Sequence, residues 1–104
     1  MTQATYDISV ILPFGDDEET IGRAVKRLAA HLRELDTSFE ILCVDEDSGD
    51  NSHAVLGLMR SEVPELSLAA ATARGRGMAA GATVARGAVL WMLSPDVAVQ
   101  ALSP

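Results

Sequence analysis

Residues 39–52 read FEILCVDEDSGDNS. Four consecutive apolar residues, Ile41, Leu42, Cys43 and Val44, run straight into Asp45-Glu46-Asp47 and then into Ser-Gly-Asp-Asn-Ser. A short apolar run bounded by turn formers predicts a strand buried on both faces, as in a parallel sheet. The carboxylates fall where that strand stops, and in open α/β sheets ligands bind outside the carboxyl ends of strands. An acidic strand end is therefore a candidate site, although the same acids also suit an ordinary turn capping the next helix.

Upstream, Ile8 to Leu12 reads as a first strand closed by Pro13, which cannot donate to a ladder. A turn over Phe14–Glu19 then opens a helix, with Asp16 or Asp17 as its N-cap and acids in its first turn facing the positive end of the dipole. Ile21, Ala24, Val25, Leu28, Leu32 and Leu35 recur at the spacing of one apolar helical face. Downstream, Ala54 to Met59 reads as a short helix capped by Asn51 or Ser52, and Leu66 to about Ala71 as a third strand. Arg74-Gly75-Arg76-Gly77 is a basic, glycine-rich turn leading into a small-residue helix over Met78–Ala85. Ala88 to Leu93 is the fourth strand, ending at Ser94-Pro95-Asp96.

Alternating strands and helices predict a three-layer α/β sandwich with a mostly parallel four-stranded sheet. Right-handed crossovers permit the order 3-2-1-4, with a switch point between the first and fourth strands. The acidic turns after strands one, two and four then share one edge.

Composition narrows the function. The 104 residues fit a single domain over 1–104, since domains most often run about 100–150 residues. Eight Lys and Arg against fifteen Asp and Glu give a net charge of −7, which argues against nucleic acid and against an anionic membrane surface. The single cysteine, Cys43, excludes an intramolecular disulfide and a thiolate metal cluster, and its place in an apolar strand suits a small buried hydrophobe. The first residues, MTQATYDIS, lack a charged n-region and an apolar h-region, and no apolar run approaches the ~20 residues of a membrane span. A soluble cytoplasmic protein is the expectation.

The first turn, Gly15-Asp16-Asp17-Glu18-Glu19, lacks the glycine fingerprint on which a dinucleotide pyrophosphate rests, which argues against a nicotinamide cofactor. Asp45, Asp96 and Asp16 or Asp17 would converge in one crevice. Carboxylates gathered in this way raise one another's pKa unless a cation or hydrogen-bond donors compensate, and hard oxygen ligands suit Mg²⁺ or Mn²⁺. The Arg74–Gly77 turn could hold an anion such as a diphosphate on backbone N–H groups and a guanidinium, or be a plain flexible loop. His31 and His53 show no metal-ligand companion and suit solvated or capping roles; Trp91 suits the core.

Taken together these residues resemble glycosyltransferase family 2, with its GT-A, Rossmann-like nucleotide-sugar domain, and its dolichol-phosphate mannose synthase-like branch above all. The first motif is ISVILPFGDDEETI. The second, the family's Glu-Ile-x-x-Val-Asp-Asp-Gly-Ser-x-Asp, stands here as Glu40 to Asp50 with Glu46 and Asp47 in place of the second Asp and the Gly. The third is Arg74-Gly75 followed by Gly81, Ala85, Arg86 and Gly87, and the fourth is Ser94-Pro95-Asp96 where the family has Asp-x-Asp. The resemblance spans about residues 7–97.

It implies that Pro13 and Asp17 lie near the nucleoside, Asp45 on the base, Arg74 near the diphosphate, Ser94 at the nucleotide and Asp96 on a divalent metal, Mg²⁺ or Mn²⁺. The partner it implies is a nucleoside-diphosphate sugar. Ser94 removes one carboxylate from that site, and Val97–Pro104 offers no ionisable side chain to act as a base towards an acceptor hydroxyl. The expectation is a nucleotide-sugar-binding half, truncated and not catalytically competent alone. An alternative is a degenerate relative that serves as an assembly module, with the open edge of the fourth strand pairing with another copy. A phosphoacceptor receiver domain ranks last, because a full strand–helix unit precedes the acidic strand and no lysine follows Lys26.

Overall fold

The computed structural model describes residues 5–71 and 75–93. Seven elements follow in the order β1 (Tyr6–Phe14), α1 (Ile21–Glu34), β2 (Phe39–Asp45), α2 (Ser52–Met59), β3 (Leu66–Ala70), α3 (Gly77–Val84) and β4 (Gly87–Met92). The four strands form one sheet in the order β3-β2-β1-β4, and every pairing is parallel. This is the expected topology. All four carboxyl ends therefore point to one rim, termed the upper rim below; the amino ends form the lower rim.

Strand alternation divides the core in two. Val10, Leu12 and Phe14 of β1, with Phe39, Ile41 and Cys43 of β2, pack with α1 and α2 on one face. Ile11, Leu42 and Val44 face the other way, against Met78, Ala80 and Ala82 of α3. Helix α1 seals its side with Ile21, Ala24, Val25, Leu28 and Leu32, all almost completely buried. At about 1.5–3 kcal/mol for each fully buried large aliphatic side chain, this stripe accounts for most of what holds α1 on the sheet. Leu35 does not join it. It lies one residue past the helix and is half exposed, because Asp36 turns into the left-handed region at φ 52° and ends the helix.

Helix α3 has a different grip. A Cβ on Gly81 would sit 2.4 Å from Ile11 Cγ2, and one on Gly77 would sit 2.5 Å from the Pro13 Cβ. Two glycines, four residues apart on one helical face, let the α3 backbone lie almost on β1. What this helix lacks in side-chain volume it recovers in proximity.

Three boundaries differ from expectation. Strand β1 does not stop at Pro13 but continues to Phe14, with Pro13 opposite Val44. Residues of a parallel strand direct their backbone groups alternately to either neighbour. Ile11 O accepts Leu93 N–H on the β4 side, whereas Phe14 O accepts Glu46 N–H on the β2 side. The missing N–H of Pro13 thus faces the β4 side, beyond the last β1–β4 pair at Ile11 and Met92, and costs no ladder bond.

Neither Asp16 nor Asp17 caps α1. A turn over residues 18–20 intervenes, Thr20 is the N-cap, and the first helical turn holds no acid. Helix α2 starts at Ser52, with Asn51 at the N-cap but no side-chain capping bond. Strand β4 is an edge strand with little cover. Val89, Leu90 and Met92 are 50%, 39% and 48% exposed, so apolar surface shows on both of its faces. Trp91 is partly buried against the α1 side. No helix among the described residues is long and apolar enough to cross a membrane.

Candidate functional site at the upper rim

Asp45, the last residue of β2, lies opposite Phe14 of β1 and Ala70 of β3. It thus stands at the middle of the upper rim. Its carboxylate has two anchors. Oδ1 accepts the Ser48 N–H at 2.8 Å, and Oδ2 lies 3.2 Å from Nδ1 of His53 on the first turn of α2. The side chain is 18% exposed, so it is mostly shielded yet reachable. Between the anchors the chain turns at Asp47 with φ 61°, a left-handed conformation that Asp tolerates better than most residues. The family motif has Gly at this position, and the backbone shows why.

Beside Asp45 the first loop is tied to the second. Asp16 Oδ1 accepts Gly49 N–H at 2.7 Å, Asp17 N–H donates to Ser52 Oγ, and Glu18 N–H donates to Asp50 Oδ2. Asn51 N–H returns a bond to Glu18, and Asp17 Oδ2 accepts Gly15 N–H. Ser52, fully buried, donates its hydroxyl to Asp50 Oδ1 at 2.6 Å. Together Asp16, Asp17, Glu18, Glu19, Thr20 and Asp50 line an open depression of about 230 Å³.

Gathered acids raise one another's pKa unless hydrogen-bond donors compensate, and here donors are present. At Asp50 the Ser52 hydroxyl first, and backbone N–H groups including that of Glu18, hold its carboxyl below the usual range despite some desolvation. The acids here serve as acceptors that stitch two loops together. Asp17 acts within this stitching rather than on the first turn of α1.

Pro13 lies in β1 at the rim, under the N-terminus of α3. There Glu46 Oε2 accepts the Gly77 N–H at 2.6 Å. Of the two readings of the glycine-rich turn, an anion cradle or a plain flexible loop, the cradle has one donor fewer to offer, because the Gly77 N–H is taken by a carboxylate. Arg74, Ser94 and Asp96 lie outside the described residues. Among the described residues, no three His, Cys, Asp or Glu side chains are grouped to hold a metal ion.

His53 is solvated as read, with its side chain 57% exposed, and it also lies against Asp45. The missed signal was its distance along the chain. A residue eight positions after a strand end, just inside the next helix, can fold back over that end when the intervening turn is tight.

Ser9, Glu40, Arg86 and Gly87 of the motifs belong to the lower rim. Glu40 is 2% exposed; its Oε2 accepts both the Ser9 hydroxyl at 2.6 Å and the Arg86 N–H at 2.7 Å. Ser9 Oγ in turn accepts Gly87 N–H at 2.7 Å. The second and third sequence motifs thus meet through Glu40 and Arg86, away from the candidate site. Cys43 is buried, and burial pushes its thiol pKa up, as its place in the strand suggested.

No family model matches the chain. Among curated proteins, the undecaprenyl-phosphate 4-deoxy-4-formamido-L-arabinose transferase of Sodalis glossinidius (strain morsitans) is 37% identical over 49 residues, covering 47% of this chain and 15% of that protein. Among solved structures, S. aureus TarS 1-349 superposes with a TM-score of 0.70 at 20% identity, over 91% of this chain and 30% of that one. The same protein in complex with UDP gives 0.67 at 21% identity, over 86% and 27%. The mannosyltransferase PcManGT of Pyrobaculum calidifontis, in complex with GDP-Man and Mn²⁺, gives 0.58 at 21% identity, over 75% and 23%. The chain spans less than a third of the length of each of these relatives. In fold, the chain resembles these glycosyltransferases over part of their length, the likeness its motifs implied.

Proposed function

We propose that the chain binds a nucleoside-diphosphate sugar at the upper rim, with the Asp45 carboxylate as acceptor for the nucleobase. The observation that carries this reading is the state of Asp45. It sits at the carboxyl end of a central strand, pinned by Ser48 and His53 yet still reachable, in a fold whose relatives include one solved with UDP and one with GDP-Man and Mn²⁺. Among the described residues, Ser48 and His53 are the neighbours that approach the two oxygens, and a carboxylate has about four lone-pair positions, which leaves room for an incoming N–H donor. Pro13 would floor the nucleoside, and the loop held by Asp17 would border it. Arg74 would meet the diphosphate, Ser94 would approach the nucleotide, and Asp96 would hold the Mg²⁺ or Mn²⁺ that accompanies it. The cytoplasm, where nucleotide sugars are made, is the compartment this reading implies.

Calorimetric titration with UDP and GDP, each with and without MnCl₂, tests it. Binding of at least one nucleotide is expected, weakened about tenfold or more by Asp45→Ala, the scale of one lost charge-assisted hydrogen bond. No heat with either nucleotide in the presence of Mn²⁺ would overturn it. Glycosyl transfer by the chain alone is not part of the proposal.

A second reading rests on β4. The apolar side chains Val89, Leu90 and Met92 on an edge strand suit pairing with a second copy of the chain. Light scattering should then detect a dimer that Leu90→Lys disperses. A strict monomer at all concentrations removes this reading.

A further inference from the structure

We infer that His53 is a positioning residue for nucleobase recognition: it fixes the Asp45 carboxylate so that its remaining lone pairs face the base. The inference rests on the nucleotide reading above and extends it to a residue that the sequence motifs do not single out.

The geometry is specific. Asp45 would be free to rotate about χ1 and χ2 at the open end of β2 if only one of its oxygens were held. Ser48 N–H donates to Oδ1, and His53 Nδ1 lies 3.2 Å from Oδ2 on another side, so the carboxylate is held between the two. One neighbour comes from the turn and the other from α2, and Leu56 and Met59 bury α2 against the core. The base-facing acceptor is thereby referenced to a packed helix and not to a loop alone. The imidazole is 57% exposed, so it stands at the border of the approach to Asp45.

The chemistry of the bases makes the consequence measurable. Uracil and guanine each present a ring N–H that a carboxylate accepts; cytosine presents a ring-nitrogen lone pair at the corresponding place, which a carboxylate repels. Discrimination of this kind is strong only when the acceptor is held in one orientation, because a mobile carboxylate can swing out of the way of the wrong base. Removing the His53 donor should therefore weaken UDP or GDP while leaving CDP little changed.

The test is calorimetric titration of the full chain with UDP, GDP and CDP in MgCl₂, for wild type, His53→Ala and His53→Gln. Wild type is expected to prefer UDP or GDP to CDP. His53→Ala should lower the affinity for the preferred nucleotide several-fold, up to about tenfold, and flatten its ratio to CDP. His53→Gln, whose side-chain amide can donate in the same direction, should recover most of the ratio. A loss from general unfolding would depress all three nucleotides alike and would not be rescued by Gln.

A second readout needs no nucleotide. Imidazole ¹⁵N shifts of the ligand-free protein should show the Nδ1-protonated form at His53, lost in Asp45→Asn. If wild type binds and His53→Ala keeps the wild-type ratio, the positioning role falls and the nucleotide reading stands. If wild type binds none of the three, both fall together.

Discussion

The two ends of the sheet use the same side chain for opposite purposes. At the lower rim, Glu40 is sealed in by Ser9 and the Arg86 backbone, with the Arg86 guanidinium 3.9 Å away and itself stacked over Tyr6 at 5.4 Å. Nearby, Arg33 grips Glu65 through two hydrogen bonds, of 2.7 and 3.1 Å, and the Arg33 hydrogen bond holds the Glu65 carboxyl below its usual range. At the upper rim, Asp45, Asp16 and Asp50 accept hydrogen bonds mostly from the backbone of short loops and remain open to solvent to different degrees. One end spends its carboxylates on closing the sheet; the other keeps them in place and accessible. A carboxylate in a sequence motif is thus not by that fact a site residue, and the sheet end on which it falls decides.

The contrast can be broken most severely at Glu40. Glu40→Ala removes the acceptor for one buried and one part-buried donor and should cost about 2–3 kcal/mol in urea unfolding, a large share of the ~5–15 kcal/mol that holds a domain. The equivalent change at Asp45 should cost clearly less stability but should weaken nucleotide binding about tenfold or more. Equal stability losses at the two positions would erase the distinction between the ends.

Alanine at two of the three glycines that approach β1, Gly87 and Gly77, gives the next largest effect. At Gly87 the new Cβ would meet the Ser9 backbone nitrogen at 2.4 Å and the Ile8 carbonyl carbon at 2.7 Å, neither of which can yield. At Gly77 it would meet Pro13 and the far end of the Glu46 side chain. Gly87→Ala should therefore cost about 2–3 kcal/mol and Gly77→Ala about 1–2 kcal/mol, within the usual range for overpacking. Thermal melts of the pair would show whether the lower end is the stiffer one.

Asp50 sharpens the comparison through pH. Its carboxyl is held below the usual range, so it contributes stability above the unfolded-state pKa, and that contribution is lost as pH falls through the depressed folded value. The stability gap between wild type and Asp50→Asn should accordingly be full at neutral pH and close on acidification. A gap that persists undiminished below the ordinary Asp range would mean that the loop tie does not depend on charge. The smallest effect is expected at Asp47, where Gly would relieve a left-handed φ of 61°. Asp47→Gly should be neutral or stabilising by up to about 1 kcal/mol, once the greater freedom of the unfolded chain is set against the relief.

Topology was legible in the sequence because each strand is a short apolar run, and because α1 carries a full 3.6-residue stripe from Ile21 to Leu32. Boundaries were less legible, and for local reasons. Pro13 reads as a stop unless the neighbour its missing N–H faces is known. Asp16 and Asp17 read as caps because a capping carboxylate and a loop-bridging one look alike in a sequence. Of the site, Asp45 was legible as the acid that ends a buried strand. The tie from Asp16 to Gly49, the cover of Glu46 over Gly77 and the pairing of His53 with Asp45 were not, since each joins residues that only the sheet order or the turn at Asp47 brings together.

The burial of Cys43 has a practical consequence. The chain holds one native thiol, enclosed in β2 and resistant to ionisation, alongside one tryptophan on the edge strand. A cysteine introduced at an exposed position would be the sole group to take a maleimide dye, and Trp91 would serve as its built-in energy donor. Opening and closing between the edge strand and the acidic loops could then be followed by fluorescence without first stripping the molecule of competing labels.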